Sequence, residues 1–212
     1  MTKRRGRLIA VEGIDGAGKS TFVRAFANGL RRRGYSVGVR REPADPLLGR
    51  LAQASSVQDP WLGGVYFTLD RLLARPELER DLRRHHVVVQ DRSLYSTLAY
   101  QGSALGAGAA RRLAQLQRSA TVLPDRVVLL DIDPTEAGRR VGLRSRTRSP
   151  LERLAIQRRV RRAYRRLARG PSWIVLDGRR PIAEGVSEAL RRLGGTLTRP
   201  PRRRGRSRRR RT

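Results

Sequence analysis

One eight-residue stretch constrains this chain more than any other. Gly13-Ile14-Asp15-Gly16-Ala17-Gly18-Lys19-Ser20 matches G-x-x-x-x-G-K-[ST] without a mismatch. It stands between the apolar run Leu8-Ile9-Ala10-Val11 and a segment with Phe22, Phe26 and Leu30 at helical spacing. A strand, a glycine-rich turn and a helix, in that order, gather backbone N–H groups and a helix N-terminus around a phosphate. In that setting Lys19 reaches the β- and γ-phosphate oxygens, and the Ser20 hydroxyl suits Mg²⁺. Lys19 is one of two lysines among 48 basic residues, the other being Lys3. Arg is too broad and planar for a point-charge role, so a Lys retained here is informative. Residues Gly13 to Ser20, with Thr21, are therefore the candidate ATP-binding segment. The competing reading is a chance glycine-rich turn. The motif alone specifies a bound nucleoside triphosphate, ATP or GTP, and not what is done with it.

The rest of the chain alternates short apolar runs with amphipathic stretches. Strands are expected at Arg7–Glu12, Tyr35–Arg41, His86–Gln90, Asp125–Asp133 and Ser172–Asp177. Helices are expected at Thr21–Arg33, closed by Gly34, and at Ala107–Ser119, Leu151–Ala168 and Pro181–Leu193. Leu47 to Arg84 reads as helices broken near Pro60 and Pro76. This order indicates an α/β fold with a five-stranded parallel sheet covered by helices on both faces. A single domain of residues 1–198 is expected, followed by a disordered arginine-rich tail from 199 to 212.

Composition excludes several classes. There is no cysteine, hence no disulfide framework or thiolate metal site. No apolar run approaches the ~20 residues of a membrane span. Lys3, Arg4 and Arg5 precede an apolar run that Glu12 ends too early for a signal peptide, so a cytoplasmic protein is expected. The net charge of +30 is unevenly placed: Arg199 to Thr212 holds nine Arg and no acid, and Lys3 to Arg7 holds four more basic residues. Such a tail could hold polyanions non-specifically, although an Arg-rich coding bias accounts for the general excess.

The residues around the loop go further. Val11-Glu12-Gly13-Ile14-Asp15-Gly16-Ala17-Gly18-Lys19-Ser20-Thr21 resembles the opening of thymidylate kinases. Four later segments agree in order and spacing: Arg41-Glu42-Pro43, Phe67-Thr68-Leu69-Asp70-Arg71, Asp91-Arg92-Ser93 with Ser96 to Gly102, and Pro124-Asp125 through Asp131-Ile132-Asp133-Pro134. The resemblance runs from about Leu8 to Leu193. It implies a P-loop nucleoside-monophosphate-kinase fold with a small lid, here Val141 to Pro150. It implies the reaction ATP + dTMP giving ADP + dTDP with Mg²⁺, and a homodimer.

The same resemblance assigns roles. Asp91, with Ser20, serves the metal, and Arg92 grips the acceptor phosphate. Arg suits that grip through its two-pronged donors; the alternative is a surface ion pair. Arg41 belongs to the acceptor side. Phe67 stacks on the pyrimidine and Arg71, four residues on and so on the same helix face, bonds its carbonyl edge. Tyr100 crowds the sugar 2′ position, and Thr97 and Gln101 are polar contacts to the base. Asp15 faces the acceptor sugar or the metal, or else is a carboxylate favoured by the helix dipole. With Gly16 in the loop, the resemblance to the bacterial arrangement places the catalytic cation beyond Lys19 in the lid, at Arg144, Arg146 or Arg148. Asp131 and Asp133 follow an apolar strand but are left out of the site.

Departures fall on the acceptor and lid side. The family's R-E-P-G-G-T is Arg41-Glu42-Pro43-Ala44-Asp45-Pro46, the third residue of D-R-Y is Ser93, and the lid-side D-x-F-E is reduced to Leu151-Glu152. They leave open a kinase of another deoxynucleotide or a modified pyrimidine nucleotide. A nucleic-acid-binding NTPase rests on charge alone, since aromatic residues are 5% of the chain.

Overall fold

The computed structural model describes residues 6–142, 154–194 and 197, with the backbone alone at 141 and 142. The elements are β1 (Arg7–Glu12), α1 (Lys19–Arg32), β2 (Val37–Arg41), α2 (Pro46–Gln58), α3 (Pro60–Arg84), β3 (Val87–Asp91) and α4 (Leu94–Tyr100). They continue with α5 (Ala107–Ala120), β4 (Arg126–Asp131), α6 (Pro134–Gly142), α7 (Leu154–Leu167), β5 (Trp173–Asp177) and α8 (Ile182–Arg192). The five strands form one parallel sheet in the order β2-β3-β1-β4-β5.

Burial follows from that order. β1 and β3 are central, and every residue from Leu8 to Glu12 and from Val87 to Asp91 is buried. Ile9, Val11, Val87 and Val89 share a core with Phe22, Phe26 and Leu30 of α1 and with Val186 and Leu190 of α8. Leu8 and Val88, which alternate with them, pack instead against Leu78 and Leu82 of α3. Phe22 and Phe26 stack with ring centroids 5.6 Å apart, and burying each side chain contributes about 2 kcal/mol.

The chain runs from β1 out to β2 and β3, then crosses to β4 on the far side of β1. The strand order therefore reverses beside β1. In an open parallel sheet the crevice outside the carboxyl ends at such a point is where ligands bind. The loop after β1 and the loop after β3 both open there.

Three points differ from these expectations. Pro76 lies inside α3 and does not break it. Its ring removes one helical hydrogen bond, that to Leu72, but Leu72 and Pro76 are exposed, so the loss falls outside the core. Helices α4 and α6, with seven and nine residues, were not anticipated. Each is too short to show a helical period, and α4 depends on a cap, with Ser93 Oγ accepting from the Tyr95 N–H. Helix α1 also starts earlier than expected, at Lys19, which puts Lys19 and Ser20 on its first turn. The expected lid lies outside the described residues apart from the end of α6, and so does the tail from 199 to 212.

Candidate active site

The loop between β1 and α1 has the backbone its glycines permit. Gly13, Gly16 and Gly18 have φ of 149°, 84° and 88°, in regions that side-chain-bearing residues avoid. A Cβ at Gly13 would also lie 2.7 Å from the Leu130 carbonyl oxygen. Helices α2, α3 and α4 are capped by Asp45, Asp59 and Ser93. Helix α1 has no side-chain cap. Its first-turn N–H groups point into the loop and suit an anion.

Lys19 is folded back over this loop and donates to the carbonyl oxygens of Gly13 (3.0 Å) and Ile14 (2.9 Å). Burial, and then the charge of Arg92, lower its pKa from 10.5 to about 8 against the pull of Asp15, Asp91 and Glu12. Ser20 Oγ donates to Asp91 Oδ2 at 2.7 Å, so the two residues expected at the metal lie together across the β1 and β3 loops. Hydroxyl and carboxylate oxygens are hard donors. They fit Mg²⁺, which takes few protein ligands beside phosphates and water.

Arg92 has φ of 73°, a left-handed conformation that costs a non-glycine residue about 1 kcal/mol. The turn directs its side chain over the crevice. There it pairs with Asp15 Oδ1, donates to Ser96 Oγ (3.2 Å) and lies 5.6 Å above the Tyr100 ring centroid. Tyr100 donates its hydroxyl to Asp15 Oδ2 at 3.0 Å. Burial alone raises the Asp15 carboxyl, but Arg92, Lys19 and the Tyr100 hydrogen bond outweigh it and bring the pKa to about 2. Burial and the neighbouring Asp15 push the Tyr100 phenol far up, so it remains a donor. Asp15 thus joins Lys19, 3.8 Å away, to Arg92 and Tyr100.

Beside this junction lies a cleft of about 240 Å³ lined by Asp15, Arg41, Phe67, Arg71, Arg92, Thr97, Tyr100 and Gln101, with Glu42, Pro43, Gln53 and Ser96. Every substrate-side residue expected from the sequence is on its wall. Phe67 is half-buried and outside the apolar core, whereas Arg41 is exposed at the end of β2. Arg71, 4% exposed, is more deeply engaged than expected. Its Nε and Nη2 grip Glu42 Oε2 at 2.8 and 2.7 Å, Nη2 also donates to the Ser93 carbonyl, and Nη1 donates to Thr97 Oγ1 and Gln117 Oε1. All five of its donors have partners, so bonding a base carbonyl requires one of these to be shared or exchanged.

A model of the thymidylate kinase family matches residues 11–189. The chain belongs to the thymidylate kinase family. It is 37% identical to a protein of Archaeoglobus fulgidus named "Probable thymidylate kinase", over 88% of this chain and 93% of that one. It is 38% identical to the "Thymidylate kinase" of Leifsonia xyli, over 92% and 98%, and 38% identical to that of Thermomicrobium roseum, over 86% and 91%. The five-stranded parallel sheet is that of a P-loop kinase of this family.

Against that family, the altered segment Ala44-Asp45-Pro46 has a local account. Asp45 caps α2, accepting from the N–H groups of Leu47 and Leu48, and Asp70 accepts from the N–H groups of Ala44 and Asp45. The new acid is spent on a helix end. Asp131 and Asp133, omitted from the site, are ion-paired with Arg161 and Arg165 of α7. Arg144, Arg146 and Arg148 lie outside the described residues.

Several supporting residues escaped the sequence reading. Glu12 is 0% exposed and accepts from Ser93 Oγ, Ser96 Oγ and Tyr164 OH, tying the start of α4 to β1. Glu42 bridges Arg71 and Gln90. Both acids end apolar or extended runs within matched segments, and an acid in that position was the available signal. Gln117 and Tyr164 sit on α5 and α7 without a motif, and only tertiary packing brings them in.

Proposed function

We propose that this chain transfers the γ-phosphoryl group of ATP to dTMP, giving ADP and dTDP with Mg²⁺. The observation that carries this reading is the junction at Asp15. It links the triphosphate loop, through Lys19, to a cleft of nucleotide-base size, through Arg92 and Tyr100. Donor and acceptor phosphates directed to Lys19 and Arg92 would meet there, and phosphoryl transfer depends mainly on such positioning and on charge neutralisation.

In this reading Lys19 leaves the Gly13 and Ile14 carbonyls for the β- and γ-phosphate oxygens. Arg92 holds the acceptor phosphate, its orientation fixed by Asp15. Ser20 and Asp91 would hold Mg²⁺, whose contribution is neutralisation of phosphate charge. Phe67 offers a face to the pyrimidine, and Tyr100, pinned by Asp15, stands against a 2′-hydroxyl. Arg41 lies at the cleft mouth as a further cation for the acceptor. An arginine among 144, 146 and 148 completes the charge around the γ-phosphate. The capping role of Asp45 favours dTMP over a changed acceptor, since that acid is not aimed at the ligand. The arginine-rich tail adds salt-sensitive, sequence-independent attachment to polyanions. The protein works as a homodimer, which the exposed apolar stripe on α3 supports. No helix of the described residues is long and apolar enough to cross a membrane, in keeping with a cytoplasmic enzyme.

The test is a Mg²⁺–ATP assay across dTMP, dUMP, UMP, CMP, dCMP, AMP and GMP, with Lys19→Ala as the control. The expected result is the highest kcat/KM for dTMP and no turnover by Lys19→Ala. A higher kcat/KM for any other acceptor overturns the assignment of substrate, and turnover by Lys19→Ala overturns the assignment of the loop.

A further inference from the structure

Two polar groups on the wall of the acceptor cleft have hydrogen-bonding capacity left over. Thr97 and Gln101 are four residues apart, in α4 and at its C-terminal cap, and are both buried. Thr97 Oγ1 accepts from Arg71 Nη1 at 2.9 Å, while its own proton has no acceptor among the described residues. Gln101 is 2% exposed. Its Nε2 donates to Ser56 Oγ at 3.0 Å, and its Oε1 has no partner among the described residues. A buried carbonyl oxygen without a donor is costly, so a ligand that brings an N–H to it is favoured.

A carboxamide is nearly symmetric in shape and can turn over in its slot, exchanging acceptor for donor. Here the neighbour decides. Ser56 Oγ spends its single proton on the Ala52 carbonyl at 2.5 Å, one turn back along α2. Only lone pairs are left towards Gln101, so the amide nitrogen must face Ser56. Turning the amide over would set Oε1 against those lone pairs and strand Nε2 as well. Gly63 of α3 closes the other side, because a Cβ there would collide with Ser56 Oγ. The Thr97 hydroxyl is biased in the same sense, since it accepts from Arg71 and its proton has no acceptor among the described residues.

We infer that Ser56 is a positioning residue for base selection. By holding the Gln101 amide in one orientation, it makes the cleft edge offer one acceptor and one donor. With Gln101 facing ring N3 and Thr97 facing the C4 substituent, that edge complements the imide of thymine and uracil, N–H to Oε1 and C=O to the hydroxyl. In that register cytosine sets its ring-nitrogen acceptor against Oε1. The inference rests on the reading of this cleft as the site of the pyrimidine base. Ser56 itself belongs to none of the segments that carry the family resemblance.

The experiment is steady-state kinetics of Ser56→Ala and Gln101→Leu with dTMP, dUMP and dCMP at saturating ATP, with the ATP KM measured alongside. For Ser56→Ala the expected result is a few-fold rise in the dTMP KM with kcat retained. The dCMP kcat/KM should rise, so that the dTMP-to-dCMP preference narrows by about tenfold or more. The dTMP-to-dUMP ratio and the ATP KM should not move. Ser56→Thr, which keeps the hydroxyl, should retain the wild-type preference. Equal losses for dTMP and dCMP in Ser56→Ala, or an unchanged preference, overturn the inference. The Gln101→Leu arm separates the two levels. If it raises the dTMP KM while Ser56→Ala leaves the preference intact, the base site stands and the role of Ser56 falls. If it leaves the dTMP KM unchanged, the reading of the cleft falls too.

Discussion

At the scale of single residues, this site is a set of buried charged groups in mutual contact. Among them, Lys19 has a pKa that falls within working pH. Buried and close to Arg92, it has a pKa of about 8. A base whose folded pKa lies below its ordinary value loses its charge in the free enzyme as pH rises through the folded value. The unfolded chain still binds that proton up to about pH 10.5, so stability gains from this group as pH rises between the two values. ATP binding has the opposite trend, because it needs the ammonium. Titration calorimetry should therefore give a constant ATP affinity from about pH 6.5 to 7.5, weakening above about pH 8. An affinity flat to pH 9.5 would contradict this placing of Lys19. Asp15, held near 2, contributes no step in that range. Arg71 differs in kind. It is wired to Glu42, Thr97, Gln117 and the Ser93 carbonyl, so it organises the acceptor wall as well as facing it. Burial keeps the Glu42 carboxyl above its usual range despite the opposing charge of Arg71.

At the scale of elements, α3 has two unlike faces. Thr68, Asp70, Arg71, Leu78 and Leu82 are buried on one side. Leu62, Val65, Leu69, Leu72 and Leu73 are from 36% to 63% exposed on the other, near the heptad spacing of a helix seam. A stripe of that kind is uncommon on a monomer surface. In the proposed homodimer it would be covered by a second copy, on the same helix that carries Phe67 and Arg71. Replacing Leu69 and Leu72 together by Glu should convert the protein from dimer to monomer in sedimentation velocity at micromolar concentration. A wild-type chain that already sediments as a monomer there would rule the dimer out.

At the scale of the whole molecule, the crevice and an exposed basic patch lie at opposite ends of the sheet. The carboxylates Glu12, Asp15, Glu42, Asp70 and Asp91 gather around the crevice at the carboxyl ends of the strands, among the cations Lys19, Arg71 and Arg92. At the other end of the sheet, Arg31, Arg32, Arg33, Arg83, Arg84, Arg191 and Arg192 are exposed at the last turns of α1, α3 and α8. These turns adjoin: Arg33 donates to the Leu190 carbonyl, and Ser36 bonds His86. The basic tail from 199 to 212 lies outside the described residues, and truncation tests whether the proposed polyanion attachment is separable from catalysis. Removing residues 199–212 should leave kcat and KM for dTMP unchanged. It should also lower the salt needed to elute the protein from heparin. Loss of turnover in low-salt buffer would show that the tail belongs to the catalytic unit.

The sequence by itself determined the sheet and the phosphate loop, because both are written locally; the residues expected on the acceptor side came from the resemblance of matched segments to a known family. Apolar runs in Leu8–Val11 and Val87–Val89 specify buried strands, glycines at 13, 16 and 18 specify a left-handed cradle, and Phe67 and Arg71 share a helix face by spacing alone. Pro76 shows the limit of such rules, because its effect depends on whether the lost hydrogen bond falls in the core or at the surface of the helix. What only the tertiary structure decided is how those parts meet. The coupling of Lys19 to Arg92 and Tyr100 through Asp15 joins the loop after β1, the loop after β3 and the end of α4. The saturation of Arg71 on α3 draws on Glu42 just after β2 and on α4 and α5. The orientation of Gln101 depends on a serine 45 residues earlier, on another helix. Hydrogen-bond partners and burial are properties of the packed interior, and no local pattern records which polar group will find which.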